Sequence, residues 1–90
     1  MGIQKEIRDN VESQISLLIQ QTKIYLPFIK NAFPFSDNLS NACYGLIAGY
    51  ALSIFLNQYT IRMKYPTHED FIEFGKIVSK YKDQIDSLFK

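Results

Sequence analysis

Residues 39–56 read LSNACYGLIAGYALSIFL, and from Ala42 to Leu56 no side chain carries a formal charge. Ser36, Asp37 and Asn38 stand just before it, each with a side-chain oxygen able to accept a hydrogen bond from an unpaired amide at a helix start. Tyr65-Pro66, separated from its end by eight residues, interrupts a helical path. The stretch therefore predicts a long helix over about 38–64. A helix that is apolar on every side is buried on every side, so the rest of the chain is expected to wrap around this one.

Upstream, Ile3, Ile7, Val11, Ile15, Leu18, Tyr25 and Ile29 recur by threes and fours, with Thr22 filling the gap in the series. That period belongs to a helix and not to a strand, and it predicts a first long helix over about 3–25. On its exposed side Lys5 stands four residues from Asp9 and Arg8 four from Glu12, pairs worth roughly 0.2–0.5 kcal/mol each. Pro27 disfavours helix at Leu26 and clashes with a continuing helix. A break is expected there, with a short helix near 27–33 closed by Pro34. The apolar run Leu26, Phe28, Ile29, Phe33 and Phe35 is expected to lie against the bundle.

Downstream, Thr67-His68-Glu69-Asp70 has the form of a capping box, with Thr67 as cap and an acid three positions on. Phe71, Phe74, Val78, Tyr81, Ile85 and Leu88 then alternate by three and four, which predicts a third long helix over about 67–89. At ~1.5 Å per residue the run from His68 to Phe89 is about 33 Å long, similar to the other two. The expected fold is all-α: a small antiparallel bundle of three long helices (3–25, 38–64, 67–89) and a short one near 27–33, forming a single domain over residues 1–90.

Composition narrows the function classes. With 47% hydrophobic and 21% charged residues the chain is far from the polar composition of disordered sequences. A net charge of +1 is too small for the basic footprint of a general nucleic-acid binder. One cysteine, Cys43, closes no intramolecular disulfide, and one histidine leaves too few ligands for a metal site. No metal or other cofactor is expected, and Cys43 reads as a small buried hydrophobe. Charged residues Lys5, Glu6, Arg8 and Asp9 occupy the first ten positions, where a signal peptide needs an apolar core, so the expected location is cytoplasmic.

Within the second helix Ala42, Gly45, Gly49 and Ser53 fall on one stripe. Each glycine costs the helix about 1 kcal/mol relative to alanine, and close approach of another surface is the expected return. Either Phe28, Phe33 or Phe74 packs over the glycines within one chain, or two copies meet there. The same segment raises the question of a membrane span, but residues 42–56 reach only ~22 Å against a hydrocarbon core of about 30 Å. The six tyrosines suit protein contacts and the rim of a small core alike.

Arg62 and His68 are separated by five residues between two helices. In this the chain resembles the HEPN ribonuclease superfamily, all-helical bundles in which an Arg, four to six residues and a His form the active site across a dimer. Met63 follows the Arg where that family usually has a polar residue, and Pro66 interrupts the intervening segment. The resemblance implies that Arg62 stabilises phosphate charge and His68 acts as acid or base, without metal. No phosphate-cradling glycine loop and no nucleophile with a helical base partner accompany them.

The reading placed first is therefore non-enzymatic: a self-associating protein-interaction module, an adaptor or a regulator, with Ala42, Gly45, Gly49 and Ser53 at its interface and a homodimer or another protein as partner. A small inhibitor such as the helical immunity bundles that protect against bacteriocins fits by fold-level analogy alone. A HEPN-like ribonuclease is the alternative, and a small membrane-associated helical protein the next.

Overall fold

A computed structural model describes residues 2–90 and contains five helices: α1 (Lys5–Gln20), α2 (Thr22–Ala32), α3 (Leu39–Ile61), α4 (His68–Ser79) and α5 (Lys82–Ser87). The expected all-helical bundle is present, but two of the three long helices are each divided in two. The first break lies at Gln21 and not at Pro27. Its cause is Thr22, whose hydroxyl donates to the Ile19 carbonyl at 2.8 Å, while the Tyr25 hydroxyl donates to the Leu18 carbonyl at 2.9 Å. These side-chain donors share the last carbonyls of α1 with the backbone amides that close it, and a hydroxyl competing for such acceptors bends or ends a helix.

Because the chain restarts at Thr22, Pro27 falls inside α2 and no separate 27–33 helix forms. Pro27 and Lys23 are both exposed, so the Lys23 carbonyl that Pro27 leaves without a backbone donor is open to water. Asn38 caps α3, its side chain accepting from the Asn41 amide at 3.0 Å. The capping box at α4 is complete: the Asp70 amide donates to Thr67 Oγ1 at 3.1 Å and the Thr67 amide to Asp70 Oδ2 at 3.0 Å. A turn at Lys80 and Tyr81 divides the expected third helix, their amides bonding three residues back to Ile77 and Val78.

The core is a seam between α1 and α3. Ile3, Ile7, Val11, Ile15 and Ile19 meet Cys43, Ile47, Ala51, Phe55 and Tyr59, both series spaced by four, with Ile29, Phe74, Ile77, Val78 and Ile85 closing its sides. Of the third apolar stripe Phe74, Val78 and Ile85 are buried, whereas Phe71 and Leu88 remain substantially exposed.

Polar ties hold the C-terminal helices to the seam. Glu73 accepts from Arg8 and from the Ile3 amide. Tyr81 donates to Glu12 Oε1 at 2.6 Å, and Lys80 lies 3.8 Å from the same carboxylate. Lys5 does pair with Asp9, but Arg8 pairs across the bundle with Glu73 and not with Glu12.

Candidate functional site

The side chains of α3 divide into two sets. Ser40, Cys43, Ile47, Ala51, Phe55 and Tyr59 are buried, all on one face. The opposite face, with Gly45, Gly49, Leu52, Ser53 and Leu56, is exposed. The expectation that α3 is enclosed on every side therefore does not hold: only 22% of its most apolar 18-residue window is buried. The reason is the number of neighbours. Helices α1, α2 and α5 pack along one side of α3, α4 reaches it through Phe74 against Phe55, and no further element remains for the outer face.

Nothing covers the glycines. A Cβ built at Gly45 or at Gly49 would meet no atom within 4 Å, which corrects the expectation that Phe28, Phe33 or Phe74 packs over them. Phe28 is itself exposed, Phe33 is half-buried, and Phe74 stacks on Phe55. Of the small-residue stripe, Ala42 reaches the edge of the core, while Gly45, Gly49 and Ser53 face outward. Beside them lies an apolar groove of about 320 Å³ between α3 and α4, walled by Tyr44, Ala48, Leu52, Phe74 and Val78. It exists because Gly49 on one helix and Gly75 on the other contribute no side chain to fill it.

The outer face is graded in size. Its N-terminal half carries Ala42, Gly45 and Gly49, and its C-terminal half Leu52, Ser53 and Leu56, with Asn57, Thr60 and Ile61 exposed toward the end of the helix. Beyond the ends the first charges are Asp37 on one side and Arg62 and Lys64 on the other. Phe35 is exposed ahead of α3, and Met63 and Tyr65, each 92% exposed, follow it. Met63 is also the one described non-glycine residue with positive φ, at 56°. Its amide bonds back to Thr60 and that of Lys64 to Tyr59, the double hydrogen bond that closes a helix through a left-handed residue. Glycine normally serves at this position, and here it is methionine.

The molecule as a whole has surplus surface. Its accessible area of 6047 Å² exceeds the roughly 5400 Å² typical of a folded monomer of this mass. Its radius of gyration of 13.9 Å likewise exceeds the ~12 Å of an equally long compact domain. The body is a rod of 38 × 21 × 21 Å, as long as α3 with its flanking turns.

Arg62 and His68 lie in different settings. The Arg62 guanidinium donates to the Gln58 carbonyl at 2.9 Å and to Gln58 Oε1 at 3.0 Å, and it lies 3.5 Å from Glu6. His68 opens α4 on the exposed surface, and no hydrogen bond or ion pair among the described residues involves its ring. Cys43 is enclosed in the core beside Tyr25, and burial pushes its thiol up from the ordinary range, away from the reactive thiolate. Buried Ser40 donates to Asp86, which also accepts from Lys82 at 2.6 and 2.8 Å. These bonds hold the Asp86 carboxyl below its usual range and clasp α3 to α5. Among the described residues no three His, Cys, Asp or Glu side chains group to hold a metal ion.

The apolar residues that define the outer face, Leu52 and Leu56 with flanking Tyr50, are absent from the site read in the sequence, which names only the small ones. No local signal separates them from Ile47 or Phe55, since α3 is apolar all round and its sequence does not mark which side is left open. Comparisons with protein-family models, with curated proteins and with solved structures returned no match for this chain.

Proposed function

We propose that this chain is a non-enzymatic protein-interaction module that self-associates through the outer face of α3, in the manner of a small adaptor, regulator or inhibitor. The observation that carries the reading is the uncharged, half-open α3: Leu52 and Leu56 are 40% and 39% exposed beside two uncovered glycines. Contiguous apolar surface of this kind marks interaction sites on soluble proteins, and a face free of formal charge is covered without desolvating an ion. The engagement of Arg62 with Gln58 and Glu6 also favours a structural over a catalytic role for that residue. Sedimentation velocity over a concentration series tests the proposal. The wild type should sediment as a dimer at micromolar concentration, and Leu52→Glu with Leu56→Glu should give a monomer of unchanged helicity. A wild type that stays monomeric throughout overturns self-association.

A second reading has its own support, because α3 is by length and composition long and apolar enough to cross a membrane. Its 23 residues extend ~34 Å, although residues 42–56 alone are too short. Insertion would have to withdraw Cys43, Ile47, Ala51, Phe55 and Tyr59 from the seam with α1, so the soluble assembly is preferred. Flotation with lipid vesicles separates the two: the protein should remain with the soluble fraction, and quantitative flotation would put the membrane reading first.

A further inference from the structure

We infer that the occupant of the α3 face is a second copy of this chain, lying antiparallel across it with a two-fold axis near Gly49. The inference rests on the self-association proposed above and adds the geometry. Two features of the outer face and one of the whole molecule converge on it. The first is size. Large Leu52 and Leu56 lie toward one end and small Ala42, Gly45 and Gly49 toward the other, with Ser53 between the two leucines. An antiparallel copy sets Leu56 of each helix over Ala42 of its partner and keeps small residues together at the crossing, with Ser53 beside Gly45. A parallel copy sets leucine on leucine at one end and leaves a void over the glycines at the other, and both overpacking and cavities are unfavourable.

The second is charge. Neither Asp37 nor Lys64 has an ion-pair partner among the described residues, and they flank opposite ends of α3. Antiparallel pairing brings Asp37 of each copy toward Lys64 of the other, and it sets opposed helix dipoles side by side. Parallel pairing places like charge on like. At the same ends exposed Phe35 comes beside Ile61, Met63 and Tyr65 of the other copy. The third is area. The surplus of roughly 600 Å² over a typical monomer approaches the ~800 Å² that each partner contributes to a stable interface. Rods joined along their long sides also form a more compact body.

Cysteine cross-linking under mild oxidation tests the arrangement. Gly45 and Ser53 are exposed and Gly45 has open space at its Cβ, so Gly45→Cys and Ser53→Cys should fold, and native Cys43 is buried. A disulfide requires Cα atoms within about 7 Å. In the antiparallel dimer Gly45→Cys of one copy meets Ser53→Cys of the other. Two Ser53→Cys residues instead lie eight helical positions apart, ~12 Å along the axis. A mixture of the two variants, one carrying a mass tag, should give the mixed disulfide dimer, and Ser53→Cys alone should remain uncross-linked. Efficient cross-linking of Ser53→Cys to itself overturns the antiparallel arrangement with its axis near Gly49. A wild type that sediments as a dimer while neither experiment cross-links moves the interface to another face. A monomeric wild type removes the underlying reading as well.

Discussion

The rings of Phe55 and Phe74 stack with centroids 4.2 Å apart and planes 14° from parallel. Through this pair α4 joins the α1–α3 seam. Tyr59 and Phe71 pack against the same Phe55 ring, at 5.0 and 5.7 Å, so one fully buried side chain organises the aromatic end of the core.

Phe55→Ala should therefore cost about 3–5 kcal/mol, the range for deleting a buried aromatic ring and leaving its cavity. Phe28→Ala, at a ring more than half exposed, should cost under about 1 kcal/mol. Urea denaturation compares the two, and similar midpoints would show that the aromatic end is loosely packed.

Met63→Gly should stabilise the protein. The left-handed conformation at φ 56° costs a residue with a Cβ roughly 1 kcal/mol or more, part of which returns as the extra freedom of glycine in the unfolded chain. A net gain of about 0.5–1 kcal/mol corresponds to a rise in Tm of a few degrees in a domain of this size. A lower Tm would mean that the exposed Met63 side chain makes a contact in the assembled protein.

The pH dependence of stability should fall off at both extremes. Burial, reinforced by the bond to Glu12, pushes the Tyr81 hydroxyl from 10.0 up to about 12. Its contribution is complete below pH 10 and declines between there and about pH 12, because the unfolded chain loses that proton first. Tyr25 and Tyr59, both raised chiefly by burial, act in the same direction. Asp86 is the opposite case: its carboxyl is held below 3.8 by Lys82 and Ser40, so its contribution is present above that value and lost as pH falls through the folded pKa. Tyr81→Phe should flatten the alkaline decline and Asp86→Asn the acid one, read as denaturation midpoints across pH.

The wild type should leave single-stranded RNA intact in the presence of chelator. His68→Ala, at an exposed first-turn position, should change stability by less than about 0.5 kcal/mol. Arg62→Ala removes the Gln58 bonds and the 3.5 Å approach to Glu6 and should cost about 1 kcal/mol. RNA cleavage that both substitutions abolish would instead establish the HEPN-like reading of Arg62 and His68.

Local chemistry was legible where the deciding contacts are close in sequence. The capping box of Thr67 and Asp70, the ion pair of Lys5 and Asp9 and the helical period of the apolar residues all act within one or two turns. The candidate site was legible only in part. Gly45, Gly49 and Ser53 stand out as small residues in a helix, but whether they lie under an aromatic ring or open to solvent depends on where other helices fall.

The sequence by itself thus determined that the chain is helical throughout its main segments, where α3 begins, and that α3 carries no charge. Tertiary structure alone decided which side of α3 is closed, because a helix apolar all round has no asymmetry of its own to choose a face, and the choice passes to the few helices available to cover it. It likewise decided that Arg8 pairs with Glu73, 65 residues away, and not with Glu12. Glu12 is held instead by the Tyr81 hydroxyl across the bundle. Such contacts are set by how helices meet in space, a distance that no spacing along the chain encodes.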